Sequence, residues 1–131
     1  MTFSEALKEV IEKVEGALFA MILGTDGIPV GSGAAASGVS GTDEPLHSGI
    51  MDADTLGAET SQLIREAGRA AKNLQIGDTA EITILARSCA IIIRRINPEY
   101  FIALVMRSGA GSLGKGRFYL RQAVSRIEND F

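Results

Sequence analysis

Three apolar stretches follow one another closely in the second half of the chain. They are Thr79–Ala86, Cys89–Ile96 and Tyr100–Met106, and only two or three residues separate each from the next. A connection this short joins antiparallel strands, because a parallel crossover needs about a dozen residues or more. In the first stretch Ile82 and Ile84 alternate with polar residues, which is the period of a strand with one covered face. The sequence therefore predicts an antiparallel sheet with three consecutive strands.

Two more strands are predicted near the N-terminus. Ala17–Leu23 is rich in strand formers, and the following turn, Gly24–Gly27, ends in the Asp-Gly pair that is typical of hairpins. The second strand, Ile28–Val30, is expected to be short and at an edge of the sheet, because Pro29 has no amide N–H.

Helical patterns surround these strands. Apolar residues recur at spacings of three and four in Phe3–Val14, Asp54–Leu74 and Leu113–Ile127. We expect the middle helix to cover the sheet with one apolar stripe, consisting of Leu56, Thr60, Leu63, Ala67, Ala71 and Leu74. A second stripe of mostly small residues runs beside it and consists of Gly57, Ser61, Ile64 and Gly68. The order helix, two strands, helix, three strands, helix predicts an α+β domain of three layers.

Length and composition narrow the classes of function. The chain has 131 residues, the length of one domain, and we expect 1–131 to be a single domain in which residues 31–53 form a long flexible loop. One cysteine and one histidine exclude a disulfide framework, an all-cysteine zinc site and a histidine-rich metal site within one chain, and we expect no metal. No apolar run approaches the ~20 residues of a membrane helix, so we expect a cytoplasmic protein without membrane insertion.

Charge is distributed unevenly along the chain. The net charge is −3, and with 5% aromatic residues and no tryptophan it disfavours nucleic-acid binding. Residues 1–66 carry three bases and eleven acids, whereas residues 67–131 carry ten bases and five acids. Such an asymmetry indicates an interaction surface in some proteins. In others the two halves interleave and their charges mix, and the sequence leaves both interpretations open.

A glycine-rich segment, Gly109–Gly116, contains the spacings of two phosphate-binding motifs, G-x-G-x-x-G and G-x-x-x-x-G-K. The phosphate loop requires Ser or Thr after its lysine, and here Gly116 follows Lys115. The dinucleotide motif requires an acidic residue on a second parallel strand, for which the chain has no room. A nucleotide-binding domain at this segment is therefore the weakest hypothesis. The other interpretation is that these glycines let a strand and a helix approach closely.

The middle helix and the sheet edge both favour self-association. Small residues spaced four apart allow two helix backbones to come close, and an exposed edge such as Thr79–Ala86 can pair with a copy of itself. A twofold dimer would satisfy both features at once.

The order of elements resembles that of the roadblock / dynein light chain family, most of all its stand-alone bacterial MglB type. The resemblance spans nearly the whole chain and is carried by Leu7–Val14, Gly16–Ala20, Gly24–Val30 with its D-G-x-P-V pattern, and Leu113–Arg121. It implies a roadblock-like domain with a five-stranded antiparallel sheet of order 2-1-5-4-3, one helix on one face and two on the other. It also implies dimerisation through the third strand and the middle helix, no cofactor, and no catalytic residues.

The resemblance assigns candidate sites by position. The dimer interface would contain Ile64, Gly68, Ala71, Glu81 and Thr83. A surface facing a small Ras-like GTPase would contain Glu59, Gln62, Arg65, Glu66 and Arg69. The resemblance thus implies a homodimeric, non-enzymatic adaptor that binds such a GTPase and modulates its GTP hydrolysis, and Arg65 or Arg69 would be the candidates for an arginine supplied in trans. The alternative is a pure scaffold that leaves the GTPase rate unchanged.

Overall fold

The structure, a computed structural model, describes residues 3–30, 52–109 and 113–128. These residues form three helices and four strands, whose bounds are α1 (Phe3–Lys13), β1 (Ala17–Gly24), α2 (Ala53–Leu74), β2 (Glu81–Leu85), β3 (Cys89–Arg95), β4 (Tyr100–Arg107) and α3 (Leu113–Ile127). The predicted loop 31–53 ends earlier than expected, because α2 begins at Ala53. Residues 31–51 of that loop lie outside the described residues.

The strands form one antiparallel sheet in the order β1-β4-β3-β2. The predicted short turns connect β2 to β3 and β3 to β4, and each connected pair lies side by side. Ile82 on β2 is opposite Ile93 on β3, and Ile92 on β3 is opposite Leu104 on β4. Among the described strands β2 therefore occupies one edge of the sheet.

The prediction of five strands is wrong for the described residues, because Ile28–Val30 contributes only an isolated bridge between Leu23 and Pro29. The hairpin turn itself forms as expected, with Gly27 in the left-handed region at φ 91°. The amide N–H of Val30 donates to the Ile22 carbonyl at 2.9 Å, but the ring of Pro29 has no N–H with which to extend the ladder. Without this strand, β1, β4, β3 and β2 have the neighbours that the order 2-1-5-4-3 would give them.

Helices cover both faces of the sheet. On one face α1 and α3 bury Leu7, Val10, Leu120 and Ile127 against Ile22, Ile92, Ile102 and Leu104. On the other face α2 buries Leu56 and Ile64 against Phe19, Met21, Leu23, Ile93, Phe101 and Val105. Central strand residues thus alternate between two apolar clusters, which gives the predicted arrangement of one helix against two.

Both ends of α2 have recognisable caps. At the start, the side chain of Asp52 accepts a hydrogen bond from the Thr55 amide at 2.7 Å. At the end, Gln75 takes a left-handed conformation at φ 57°, and the Ile76 amide donates to the Ala71 carbonyl at 3.1 Å. This is the Schellman arrangement that closes a helix, with glutamine where glycine is usual.

The Asp52 cap makes a prediction about pH. The hydrogen bond from the Thr55 amide lowers the pKa of the Asp52 carboxyl below its ordinary value of 3.8. A carboxyl with a lowered pKa stabilises the folded state above its unfolded pKa, and that contribution is lost as the pH falls through the folded pKa. We expect Asp52→Asn to unfold at nearly the same temperature as the parent at pH 7, because asparagine also caps helices well.

Between pH 4 and pH 2 the Asp52→Asn variant should lose less stability than the parent chain does. Thermal unfolding followed by circular dichroism across this range measures the difference. Identical pH profiles for the two proteins would show that the cap carboxylate does not contribute in this way.

Candidate functional site

The small stripe of α2 packs against the protein's own hairpin. A Cβ atom added to Gly57 would lie 2.5 Å from the Gly27 carbonyl oxygen and 3.1 Å from the Leu23 side chain. The neighbouring Ser61 is also buried, and its hydroxyl is close to Gly27. These small residues therefore let α2 approach the hairpin, and Gly57 and Ser61 are not available to a partner.

The candidate interface residues on α2 lie in different surroundings. Ile64 and Ala71 are buried within the protomer, where Ile64 belongs to the cluster between α2 and the sheet. Gly68 lies beyond the hairpin, and a Cβ atom added there would have no neighbour within 4 Å. Of the three, only Gly68 faces open space.

The opposite flank of α2 is apolar and exposed. Leu63 is 40% exposed and Leu74 is 68% exposed, and the half-buried Ala67 and Ala70 lie between them. The spacings of four, three and four residues place all four side chains along one side of the helix. We call these four residues the leucine flank. The expectation that Leu63 and Leu74 cover the sheet is wrong, because Leu56, Thr60 and Ile64 occupy that position instead.

The open edge of β2 lies on the same side as the leucine flank, since the hairpin that contacts the other flank follows β1. The Arg95 amide donates to the Ala80 carbonyl, and the Ala86 amide donates to the Cys89 carbonyl. Because inward and outward residues alternate along an edge strand, the backbone groups of Glu81, Thr83 and Leu85 point away from β3. The Leu85 side chain is 70% exposed.

The side chains of Glu81 and Thr83 are tied to the α3 side of the sheet. One Glu81 carboxylate oxygen is 3.1 Å from the Arg94 guanidinium, and the other is 2.9 Å from Nε of Arg117. The Thr83 hydroxyl hydrogen-bonds to Glu81 and Arg117 at 3.1 and 3.3 Å. These two candidate interface residues therefore offer a partner their outward backbone groups.

The outer face of α2 is polar. All five candidate GTPase-facing residues are exposed on it: Glu59, Gln62, Arg65, Glu66 and Arg69. Arg65 donates to the Thr25 carbonyl at 3.0 Å, which connects α2 to the hairpin. Arg69 pairs with Glu66 at 3.0 Å; this hydrogen-bonded pair lowers the pKa of the Glu66 carboxyl and raises the pKa of Arg69. Both candidate arginines thus have partners within the protomer.

The glycine-rich segment serves the packing of α3 where the structure describes it. Gly116 is buried, and an added Cβ atom would lie 2.9 Å from Cδ1 of Ile92 and 3.0 Å from the Met106 sulfur. Gly109 has a left-handed φ of 79°, whereas residues 110–112 of the motif lie outside the described residues. Close approach of strand and helix accounts for Gly116 without a nucleotide.

The described residues also include a narrow cleft of about 10 Å³ between α2 and the start of β2. Its walls are mostly apolar, with Ile64, Ile82 and Phe101 among them, and Arg95 also lines it. In the same ranges no group of three histidine, cysteine or acidic side chains is placed to hold a metal ion. None of the described helices is long and apolar enough to cross a membrane.

Solved structures share this arrangement of helices and strands. MglC from Myxococcus xanthus is 28% identical, with 100% of each chain covered and a TM-score of 0.63. An MglB in a tetrameric arrangement is 17% identical over 97% of this chain and 85% of its own, with a TM-score of 0.79. A roadblock/LC7 domain from Streptomyces avermitilis is 15% identical over 97% and 95%, with a TM-score of 0.75. The chain has the roadblock/LC7 fold.

The resemblance to the roadblock family and its MglB type is therefore confirmed at the level of the fold. No family model matches the sequence, and no curated protein matches it either. The five polar residues that the sequence places on the outer face of α2 are exposed in the structure, but the sequence did not reveal the leucine flank. The predicted sheet-facing stripe includes Leu63, Ala67 and Leu74 together with Leu56, because all four share one side of the helix, whereas Ala70 belongs to neither predicted stripe.

Proposed function

We propose that this roadblock domain is a homodimeric adaptor that binds a small Ras-like GTPase and modulates its GTP hydrolysis. The observation that carries the proposal is that the leucine flank and the open edge of β2 lie together, beside the exposed polar face of α2. The likeness to MglB and MglC supports a role of this kind.

Self-association explains why the two exposed features adjoin. Antiparallel pairing of β2 with its copy would satisfy the outward backbone groups of Glu81, Thr83 and Leu85. The same twofold axis would bring two leucine flanks together, and their four-three-four spacing is that of residues at helix–helix seams. A solved MglB structure has a tetrameric arrangement, which is consistent with self-association of such domains.

Dimerisation would build a platform for the GTPase. Two α2 helices would lie side by side on one face of a continuous sheet, and both polar faces would point outward. Since Arg65 and Arg69 already have partners, we propose that the dimer acts by preferring one arrangement of the GTPase's switch segments, rather than by inserting an arginine. A differential affinity of this kind is sufficient to shift a two-state equilibrium.

Single-turnover GTP hydrolysis by a Ras-like GTPase, with and without this chain, tests the proposal. We expect faster hydrolysis in its presence. The Glu66→Lys variant should reduce the effect roughly tenfold, because it reverses a charge at the centre of the polar face. Glu12→Lys, an exposed position of α1 on the other side of the sheet, is the matched control and should act like the parent chain.

Two results would change the conclusion. Binding without acceleration would leave the pure scaffold, and absence of binding to Ras-like GTPases of either nucleotide state would overturn the proposal. Light scattering of each variant separates loss of the dimer from loss of the GTPase contact.

A further inference from the structure

The outer surface of α3 is basic and lies on the other face of the sheet from α2. Between Tyr100 and Ile127 the chain has five basic residues and no acidic residue. Within α3, Phe118 is 52% exposed, and Lys115 and Arg121 lie three residues before and after it, both exposed. Residues three apart are neighbours on one side of a helix. We call Lys115, Phe118 and Arg121 the α3 basic face.

The cations where α3 faces α1 are held in ion pairs with α1 or packed against Tyr119. Arg126 forms an ion pair with Glu9, and Lys13 contacts the same carboxylate at 3.1 Å. Lys13 also lies over the ring of Tyr119, at 5.8 Å from its centroid. The charges on this side therefore serve the packing of the two helices.

The side of α3 that faces β2 retains positive charge. Glu81 is shared by Arg94 and Arg117, so one carboxylate faces two guanidinium groups. Arg121 lies one turn further along α3 than Arg117, and it has no ion pair with any residue in the described ranges. Arg94, Arg117 and Arg121 thus have three positive charges, and within the described ranges the carboxylate paired with them is that of Glu81.

We propose that the α3 basic face docks an acidic segment of a partner protein. An apolar side chain of that segment would pack on the exposed ring of Phe118, while a carboxylate of the segment would pair with Arg121. The combination of one exposed aromatic residue with flanking cations is typical of protein interfaces, which are enriched in aromatic residues and arginine. Because this surface and the polar face of α2 lie on opposite faces of the sheet, one protomer can hold both partners.

The number of cations favours a protein partner over an anionic membrane. Membrane-binding basic clusters usually have about four to eight Lys and Arg residues, and an amphipathic helix inserts several apolar side chains. The α3 basic face has two cations and a single aromatic ring. This set fits a short peptide and is small for a lipid surface.

The test uses the full chain and a fluorescent helical peptide with four glutamates and two leucines. Fluorescence anisotropy measures its affinity, and a peptide of the same length with lysines replacing the glutamates is the ligand control. We expect binding of the acidic peptide only, weakening as NaCl is raised from 50 to 300 mM. Arg121→Glu and Phe118→Ser should each weaken it by about tenfold. Lys72→Glu, an exposed cation on α2, should leave it unchanged.

Several outcomes would overturn the proposal. These are equal binding of both peptides, full affinity of Arg121→Glu and Phe118→Ser, or stronger binding to vesicles with 30% phosphatidylglycerol than to the peptide. Light scattering is expected to give the parent mass for both variants. A change of mass would instead assign Arg121 or Phe118 to self-association, and would contradict the docking role. Arg121→Glu and Phe118→Ser leave α2 unchanged. The GTP hydrolysis experiment can therefore support or contradict the proposed function whatever the result of the peptide experiment.

Discussion

Gly57→Ala is expected to lower the free energy of unfolding by about 2 kcal/mol, although alanine is the better helix former. The added methyl group would lie 2.5 Å from the Gly27 carbonyl oxygen, which belongs to the backbone and cannot rotate away. The helix and the hairpin must then move apart, and the buried contacts of Leu23 are disturbed as well. The steric cost exceeds the gain of about 1 kcal/mol in helix propensity.

Gly68→Ala is the matched control, since Gly68 lies in the same helix with open space above it. Here only the propensity term applies, and we expect a gain of about 1 kcal/mol. Urea unfolding at one fixed protein concentration compares the two variants, because association shifts apparent stability. Equal changes in the free energy of unfolding for the two substitutions would show that the Gly57–Gly27 contact does not determine how α2 packs against the hairpin.

Leu63→Lys combined with Leu74→Lys is expected to weaken self-association by about 100-fold or more. The double variant removes apolar side chains from the centre of the proposed seam and sets like charges across a twofold axis. Both side chains are substantially exposed in the protomer, so the fold should survive. Lysine near the end of α2 is also favourable for the helix dipole. Sedimentation over a range of micromolar concentrations measures the change.

The other flank of α2 provides the comparison for this experiment. A Cβ atom added to Gly68 would have no neighbour within 4 Å, so Gly68→Arg tests the interface that the sequence predicts there. If Gly68→Arg dissociates the dimer and the double lysine variant does not, the seam lies on the hairpin side. A stable dimer in both variants would remove α2 from the interface altogether.

Local patterns allowed most of the fold to be predicted from the sequence. The alternation of Ile82 and Ile84 and the short turn at Asn97–Glu99 placed the last three strands within a few residues of their ends. The strand Ile28–Val30 was overestimated, because a turn signal predicts the bend but not how far pairing continues past a proline.

Contacts between distant segments account for what the sequence did not reveal about the site. The pattern shows that α2 has two candidate faces, but only the position of Gly27, thirty residues earlier, decides that Gly57 is packed internally. The same holds for Arg65, whose partner is the Thr25 carbonyl forty residues away. The exposure of Leu63 and Leu74 follows from the way in which these contacts position α2 on the sheet. No local periodicity could therefore separate the two residues from Leu56.

Because the backbone groups of β2 alternate in direction, hydrogen–deuterium exchange of its amides can show which side of the strand is paired. Amide protons of Ile82 and Ile84 point toward β3, whereas those of Glu81, Thr83 and Leu85 point to the open side. In deuterium oxide the second set should exchange faster than the first while the protomer is alone. When a second strand aligns there, every other amide along five consecutive residues would slow together, and the NMR signal of each would report the pairing register.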